Sequence, residues 1–378
     1  MNVKEHKNLS LKLKNIIIDL FIVIGISIAF IFVVEVFLRL MLPQNLRGES
    51  ITGETFSEPD EIIGLRYRPG SRWRFMHPEY TAEYAINEHG FRDTKPHPVP
   101  KPTGTIRVLL VGDSFTFGQG VNYHESWPAI LEKRLHEAGY DHIDLVKAGI
   151  QGMDTRSEFI LMQQLLEQYH YDVIVVGFLI NDLYTNTLYR VESNEERLEV
   201  QSASDSWLKF TKKIFINNNR EKTFHSLNIA KRMAISFDSV YCKLYLATPN
   251  RGGFLTVPLQ PEQQRKLEIT KSLFEKIADF SHSAGKKLIV FSIPQQFQVL
   301  CYDASQSLPG VDLTYYENYF SALSKKNHFT WITSLNEFID AKDNELFYRL
   351  DGHLTPYGNQ IAADIFIKKI VPIIDEMK

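Results

Sequence analysis

The chain has only two cysteines, Cys242 and Cys301, in 378 residues. They form no Cys-x-x-Cys pair, and His-Glu-x-x-His is also missing, so no zinc site can be read from ligand spacing. Gly118 and Gly120 stand close together, but Gly-x-x-x-x-Gly-Lys-[Ser/Thr] is absent, which argues against a phosphate loop. Charge of one sign is scarce: 42 Lys and Arg against 45 Asp and Glu give a net −3. A nucleic-acid partner normally needs a concentrated basic face, so that class is set aside. There is no internal repeat and no low-complexity tract, and no cofactor or metal is expected. Cys242 and Cys301 would pair in an oxidising compartment and stay as buried thiols otherwise; the sequence leaves both open.

What is present is ordinary globular composition, 44% hydrophobic and 23% charged, enough for a large core. The strongest composition shift is N-terminal. Lys4, Lys7, Lys12 and Lys14 precede an apolar run over 16–42 that is free of charge from Leu20 to Val34. A basic flank before some 20 apolar residues reads as a membrane helix with its N-terminus in the cytoplasm. Asp19, Glu35 and Arg39 interrupt it only near its ends. A buried soluble helix is the blander reading. A cleaved signal peptide is the nearer competitor, with small residues at Ser27 and Ala29. The run continues past them through Phe30 to Val34, which favours an uncleaved anchor with the rest of the chain outside the membrane.

The organisation expected is a cytoplasmic tail over 1–14, an anchor over 15–42, a β-rich extension with a Pro-rich linker over 43–104, and a domain over 105–378. In the extension, turn formers such as Gly64, Pro69, Gly70 and Gly90 bound short segments, as in small strands. Pro96, Pro98, Pro100 and Pro102 then suggest an extended linker. From Thr105 the pattern alternates: strands over 106–111, 143–146, 173–176, 288–293 and 329–332, with helices over 127–137, 157–169, 261–284 and 356–374. Gly285 is the expected helix stop. Such alternation predicts an α/β fold, a parallel sheet with helices on both faces and its chemistry at the strands' carboxyl ends. Residues 183–258 break the rhythm and read as a mainly helical insertion. It carries Lys209, Lys212, Lys213, Arg220, Lys222, Lys231 and Arg232 among Trp207, Phe210, Ile214 and Phe215. A solvated amphipathic face is the plain reading, a patch for anionic glycans or lipid head groups the functional one.

The first strand ends in Gly112-Asp113-Ser114. A hydroxyl on such a turn is a candidate nucleophile, but it needs a base and a group to orient that base. Asp351-Gly352-His353, just before the last helix, offers both from one loop. The Gly-x-Ser-x-Gly elbow of α/β-hydrolases is not matched, because Thr116 stands where its last glycine would be. Acyl chemistry also needs donors for the developing oxyanion. Gly152 and Asn181 follow the second and third strands, at the same edge.

Taken in order, these four blocks resemble the SGNH/GDSL hydrolase superfamily over about 105–374, apart from the insertion. The resemblance implies a three-layer, flavodoxin-like domain. It makes Ser114 the nucleophile, His353 the general base and Asp351 its orienting acid, with Ser114, Gly152 and Asn181 forming the oxyanion hole. One departure is the spacing: many members carry Asp-x-x-His, whereas Asp-x-His here is shared with relatives that O-acetylate polysaccharides. The implied activity is ester hydrolysis, or acyl transfer to a sugar hydroxyl, through an acyl-enzyme at Ser114. The expected partner is an ester-bearing substrate, such as a cell-envelope polysaccharide, met outside the membrane, with the membrane acyl-donor partner unidentified. A non-catalytic, anchored glycan-binding or assembly protein is the alternative from another class, and a lipase a third.

Overall fold

The computed structural model describes residues 3–41, 49–50, 56–95, 97–186, 224–248 and 252–377. The basic, aromatic stretch from Trp207 to Lys222 lies outside them. The chain divides into two compact units, 1–46 with 196–234, and 47–195 with 235–378. In the first, α1 (Val3–Met41) continues through the basic flank into the apolar run. Its 28 residues Lys14–Met41 are long and apolar enough to cross a membrane, and Phe21, Phe30 and Phe32 are exposed along it. Glu35 is buried within the same unit. It accepts from Arg39 Nε at 2.8 Å and from the N–H groups of His225 and Ser226 at 2.8 and 2.9 Å. A carboxylate satisfies the free N–H groups at a helix start, which explains an acidic residue in an otherwise apolar run.

In chain order the remaining elements are β1 (Glu49–Ser50), β2 (Ser57–Asp60), β3 (Gly64–Tyr67), β4 (Arg72–His77), β5 (Tyr80–Ala85), β6 (Ile106–Gly112), α2 (Ser114–Phe117), α3 (Trp127–Glu137), β7 (Ile143–Gly149), α4 (Thr155–Tyr169), β8 (Val173–Phe178) and α5 (Asp182–Thr185). Then come α6 (His225–Ser236), α7 (Asp238–Leu246), α8 (Pro261–Ser283), β9 (Lys287–Ser292), α9 (Gln296–Leu300), α10 (Tyr302–Ser305), α11 (Tyr315–Lys326), β10 (Thr330–Thr333), α12 (Leu335–Asp340) and α13 (Pro356–Asp375). The described part of the insertion is thus helical. Ala284 ends α8, and Gly285 follows in the left-handed region at φ 65°.

Five strands form one parallel sheet in the order β10-β9-β8-β6-β7. Val108, Leu109, Leu110 and Val111 of β6 are all fully buried. Alternate side chains enter two cores, Val108 and Leu110 on one face, Leu109 and Val111 on the other, which is what a central parallel strand covered on both faces requires. Strand β7 runs on to Gly149 and β8 to Phe178, further than their apolar runs suggest. Buried Lys147 interrupts the first run, paired with Asp93 and Glu132 at 3.1 and 3.2 Å. Backbone pairing needs no side chain, so the ladder continues to a row in which Gly112 faces Gly149 on one side and Gly177 on the other. Cys242 of α7 and Cys301, just after α9, form a disulfide.

The Pro-rich segment, expected as an extended linker, is fastened to the sheet. His97 is buried between carboxylates, its Nδ1 at 2.7 Å from Asp144 and its Nε2 at 3.0 Å from Asp93. Arg107 donates to Asp144 at 2.6 Å and to the Pro98 carbonyl at 2.8 Å, and Lys101 reaches Asp172 at 2.6 Å. Burial opposes ionisation of Asp93, but the His97 bond and the Lys147 ammonium outweigh it and hold its carboxyl at about 2. Burial likewise works against the His97 cation, and the bonds to Asp144 and Asp93 overcome it, raising His97 above its usual value. A depressed carboxyl stabilises above its unfolded value of about 4, a raised histidine below its unfolded value of about 6.5. The cluster therefore contributes fully between these limits, losing the Asp93 part as pH falls towards 2 and the His97 part as pH rises. His97→Gln should lower stability most at pH 5.5, with the gap from wild type narrowing in alkali. Thermal melts in detergent that show the same gap at both pH values would refute this.

Candidate active site

Beyond Gly112, Asp113 caps α2 by accepting from the Phe115 N–H at 2.9 Å, and Gly118 closes the helix at φ 79°. Ser114 is therefore the first residue of a single turn seated on the sheet's carboxyl edge. That seat is the glycine row. A Cβ on Gly112 or Gly177 would overlap Thr116 Oγ1, and one on Gly149 would stand 2.5 Å from Phe117 N. Thr116 fills the slot that the missing side chains leave.

His353 arrives from the far end of the chain. Before α13 the backbone folds back on itself, with Tyr348 N donating to His353 O and Gly352 N to Tyr348 O, both at 2.8 Å. Gly352 is left-handed at φ 83°, and this turn lets its two neighbours meet despite the short spacing. His353 Nδ1 lies 2.6 Å from Asp351 Oδ2, and His353 Nε2 lies 2.7 Å from Ser114 Oγ. Phe115 packs its ring 4.9 Å from the imidazole. Asn359 of α13 holds the loop in place: its carbonyl accepts from Trp127 N at 2.9 Å, and its amide donates to the Leu354 and Thr355 carbonyls at 3.2 and 2.9 Å.

The electrostatics separate the carboxyls. Burial opposes ionisation of Asp351, but the bond to His353 and the imidazole's charge outweigh it, aided by His77 and Tyr80, so its carboxyl lies below the usual range. Behind Ser114 the opposite holds. Complete burial pushes Asp113 up to about 6 against the pull of Phe115 N–H, His353 and Asn181. Burial and neighbouring carboxyls raise Glu158 and Asp182 well above their ordinary values. A dry cluster of carboxyls cannot all be ionised at once.

Gly152 is exposed at φ 78° beyond the end of β7, with open space where a Cβ would be. Asn181 precedes α5 and turns its side-chain amide to Asp113, while its Oδ1 is buried without a partner among the described residues. An amide nitrogen carries two N–H groups, so one donor remains beyond the bond to Asp113.

Sequence reasoning missed three contributors from the extension. Arg92 is buried and donates to the carbonyls of Phe117, Gly118 and Val121 at 2.9, 2.7 and 2.8 Å, clamping the chain that follows Ser114. Burial lowers it to about 10, so it stays charged near neutrality. The others are Glu79 and Tyr80, at the turn between β4 and β5. The available signal was the period-two pattern Tyr80-Thr81-Ala82-Glu83-Tyr84-Ala85, which marks a packed strand but not what its tip touches.

No protein-family model matches the chain. Over 76 residues it is 30% identical to an arylesterase of Vibrio mimicus, a stretch that is 20% of this chain and 38% of that protein. The match thus spans well under two thirds of that relative's length. Among solved structures, TesA is similar over 70% of this chain and 98% of its own, at 13% identity and a TM-score of 0.40. A catalytic mutant of Axe2, an acetylxylan esterase from Geobacillus stearothermophilus, is similar over 70% and 94%, at 12% identity and a TM-score of 0.40. A protein of the lipolytic G-D-S-L family from Desulfitobacterium hafniense is similar over 70% and 99%, at 13% identity and a TM-score of 0.36. Ser114, His353 and Asp351 are joined in series at the edge of a five-stranded parallel sheet, the geometry of a hydroxyl, a base and an orienting acid. This is the arrangement that the resemblance to SGNH/GDSL hydrolases implies for the three residues, with a short Asp-x-His loop that turns at Gly352.

Proposed function

We propose that the chain is a membrane-anchored serine esterase acting outside the cytoplasm on an acetylated glycan. The observation that carries the chemistry is the series Ser114 Oγ, His353 Nε2 at 2.7 Å and Asp351 Oδ2 at 2.6 Å from the other ring nitrogen. Ser114 Oγ attacks the ester carbonyl as its proton passes to His353 Nε2. The ester C–O bond then breaks, and the leaving alcohol takes that proton. Water repeats the sequence on the acyl-enzyme, giving the free acid and restoring Ser114. Asp351 stays ionised and holds the imidazole in place. The proposed oxyanion donors are the N–H groups of Ser114 and Gly152 and the spare N–H of Asn181. The span Lys14–Met41 and the Cys242–Cys301 disulfide support the anchor and the outer location, since disulfides persist in oxidising compartments.

The test is product analysis with the full chain in detergent, an acetyl ester donor and an oligosaccharide acceptor. Free acetate alone is expected. Acetyl appearing on the sugar would instead assign an O-acyltransferase, and neither product an assembly or glycan-binding role. A reporter fused after residue 42 should be active only outside the cytoplasm; activity only inside would overturn the topology.

A further inference from the structure

The hairpin of β4 and β5 turns through Pro78 and Glu79, with His77 paired to Tyr80, and its tip meets the loop that carries the base. We infer that Glu79 and Tyr80 are positioning residues for the catalytic acid, so that the N-terminal extension, not the Asp-x-His loop alone, sets the geometry of the triad. The inference rests on the esterase reading.

Glu79 accepts from the Leu350 N–H at 2.9 and 2.8 Å through its two oxygens, and from the Asp351 N–H at 3.0 Å. Two successive backbone N–H groups turned to one side make an anion-binding nest, and here a side-chain carboxylate occupies it. The loop's own backbone bonds join Tyr348 to Gly352 and His353; the N–H groups of Leu350 and Asp351 are held from outside by Glu79. Tyr80 donates its hydroxyl to Asp351 Oδ2 at 3.2 Å, the same oxygen that meets His353 Nδ1. The Tyr80 ring is held between His77 and Tyr348, with centroids 4.8 and 4.7 Å away. Burial drives its phenol far above the usual value, so it remains a neutral donor.

The hairpin also joins the two catalytic segments. Tyr348 donates to the Gly120 carbonyl at 3.0 Å, and Gly120 N donates to Tyr84 Oη at 2.9 Å. The loop after Ser114 and the loop before His353 are thus fastened to one strand pair. The charged and titratable groups facing Asp351 and His353 are His77, Glu79, Tyr80 and Tyr84 from the hairpin, Tyr348 from the loop, and Asp113 from the nucleophile turn.

The two residues have opposite electrostatic effects, which a purely structural role would not reproduce. Tyr80 draws electron density from Asp351; without it the carboxylate holds the imidazole's proton more strongly. Glu79 adds a negative charge beside the acid, and its neutralisation does the reverse. The full chain in detergent is assayed with a chromogenic acetate ester and, independently of substrate, for its rate of labelling by a fluorophosphonate. In Tyr80→Phe kcat should fall about 10-fold with KM nearly unchanged, and the acid limb of both profiles should move to higher pH. In Glu79→Gln kcat should fall by about 10- to 100-fold, with the acid limb moving to lower pH. Wild-type rates and limbs in Tyr80→Phe, or losses in both variants without opposed movement of the limbs, would overturn the inference. If Glu79→Gln fails to fold, Tyr80→Phe decides alone. A wild-type chain that is not labelled, or a Ser114→Ala chain that is, would instead overturn the esterase reading.

Discussion

Ser114→Ala is expected to reduce kcat on a chromogenic acetate ester by about 10⁴-fold or more while leaving the melting temperature unchanged. In the proposed mechanism the hydroxyl is the atom that bonds to the acyl carbon, and it stands 2.7 Å from His353 Nε2. Its removal leaves the backbone of α2 intact, because the cap on that turn is the Asp113 carboxylate, not the serine. His353→Ala should cost a similar factor. The double variant should be no slower than either single one, since the two groups act in one proton transfer. Additive losses, or activity surviving in Ser114→Ala, would mean that the ester is cleaved elsewhere.

Gly149→Ala is expected to damage stability and activity together. Its Cβ would lie 2.5 Å from Phe117 N and 2.7 Å from Thr116 C. These are backbone atoms, so no rotamer change relieves the overlap; the turn carrying Ser114 must lift from the sheet or β7 must retreat. Overpacking of this kind costs about 1–3 kcal/mol, or more where the backbone cannot move. A displacement of about 1 Å at a nucleophile can cost 100-fold in rate by itself. The expected result is a lower denaturation midpoint and, in the folded fraction, kcat reduced by about two orders of magnitude. Gly152→Ala is the control, because open space surrounds its Cβ and only its left-handed backbone resists, at about 1 kcal/mol. Equal stability losses in the two variants would refute the packing argument.

Much of the fold was legible because apolar runs such as Val108–Val111 and the alternation of strands with amphipathic helices report directly on burial. The chain order of Ser114, Gly152, Asn181 and the Asp351/His353 pair pointed to one sheet edge, and the structure brings Ser114, His353 and Asp351 into contact there. Three things were not readable. The glycine row depends on register, and a glycine at a strand end looks the same whether its neighbour is solvent or Thr116. His97 and Lys101 sit among prolines that suggested an extended linker, and their attachment to the sheet was hidden because their partners Asp144 and Asp172 are far along the chain. Glu79 is one acidic residue in a turn, and its function comes from two backbone N–H groups some 270 positions away, as the separations of 271 and 272 record. Side-chain chemistry leaves marks in sequence, whereas main-chain donors leave none. The disulfide was open on sequence alone, since two cysteines give one pairing or none; the structure forms it.

The glycine row also has a bearing on how such a protein could diversify. Under Ser114 the strand ends at 112, 149 and 177 contribute main chain alone: a side chain at 112 or 177 would have to displace Thr116, and one at 149 the backbone of the turn itself. The nucleophile's seat is closed to gradual change, and new substrate preferences would have to be built in the segments around it.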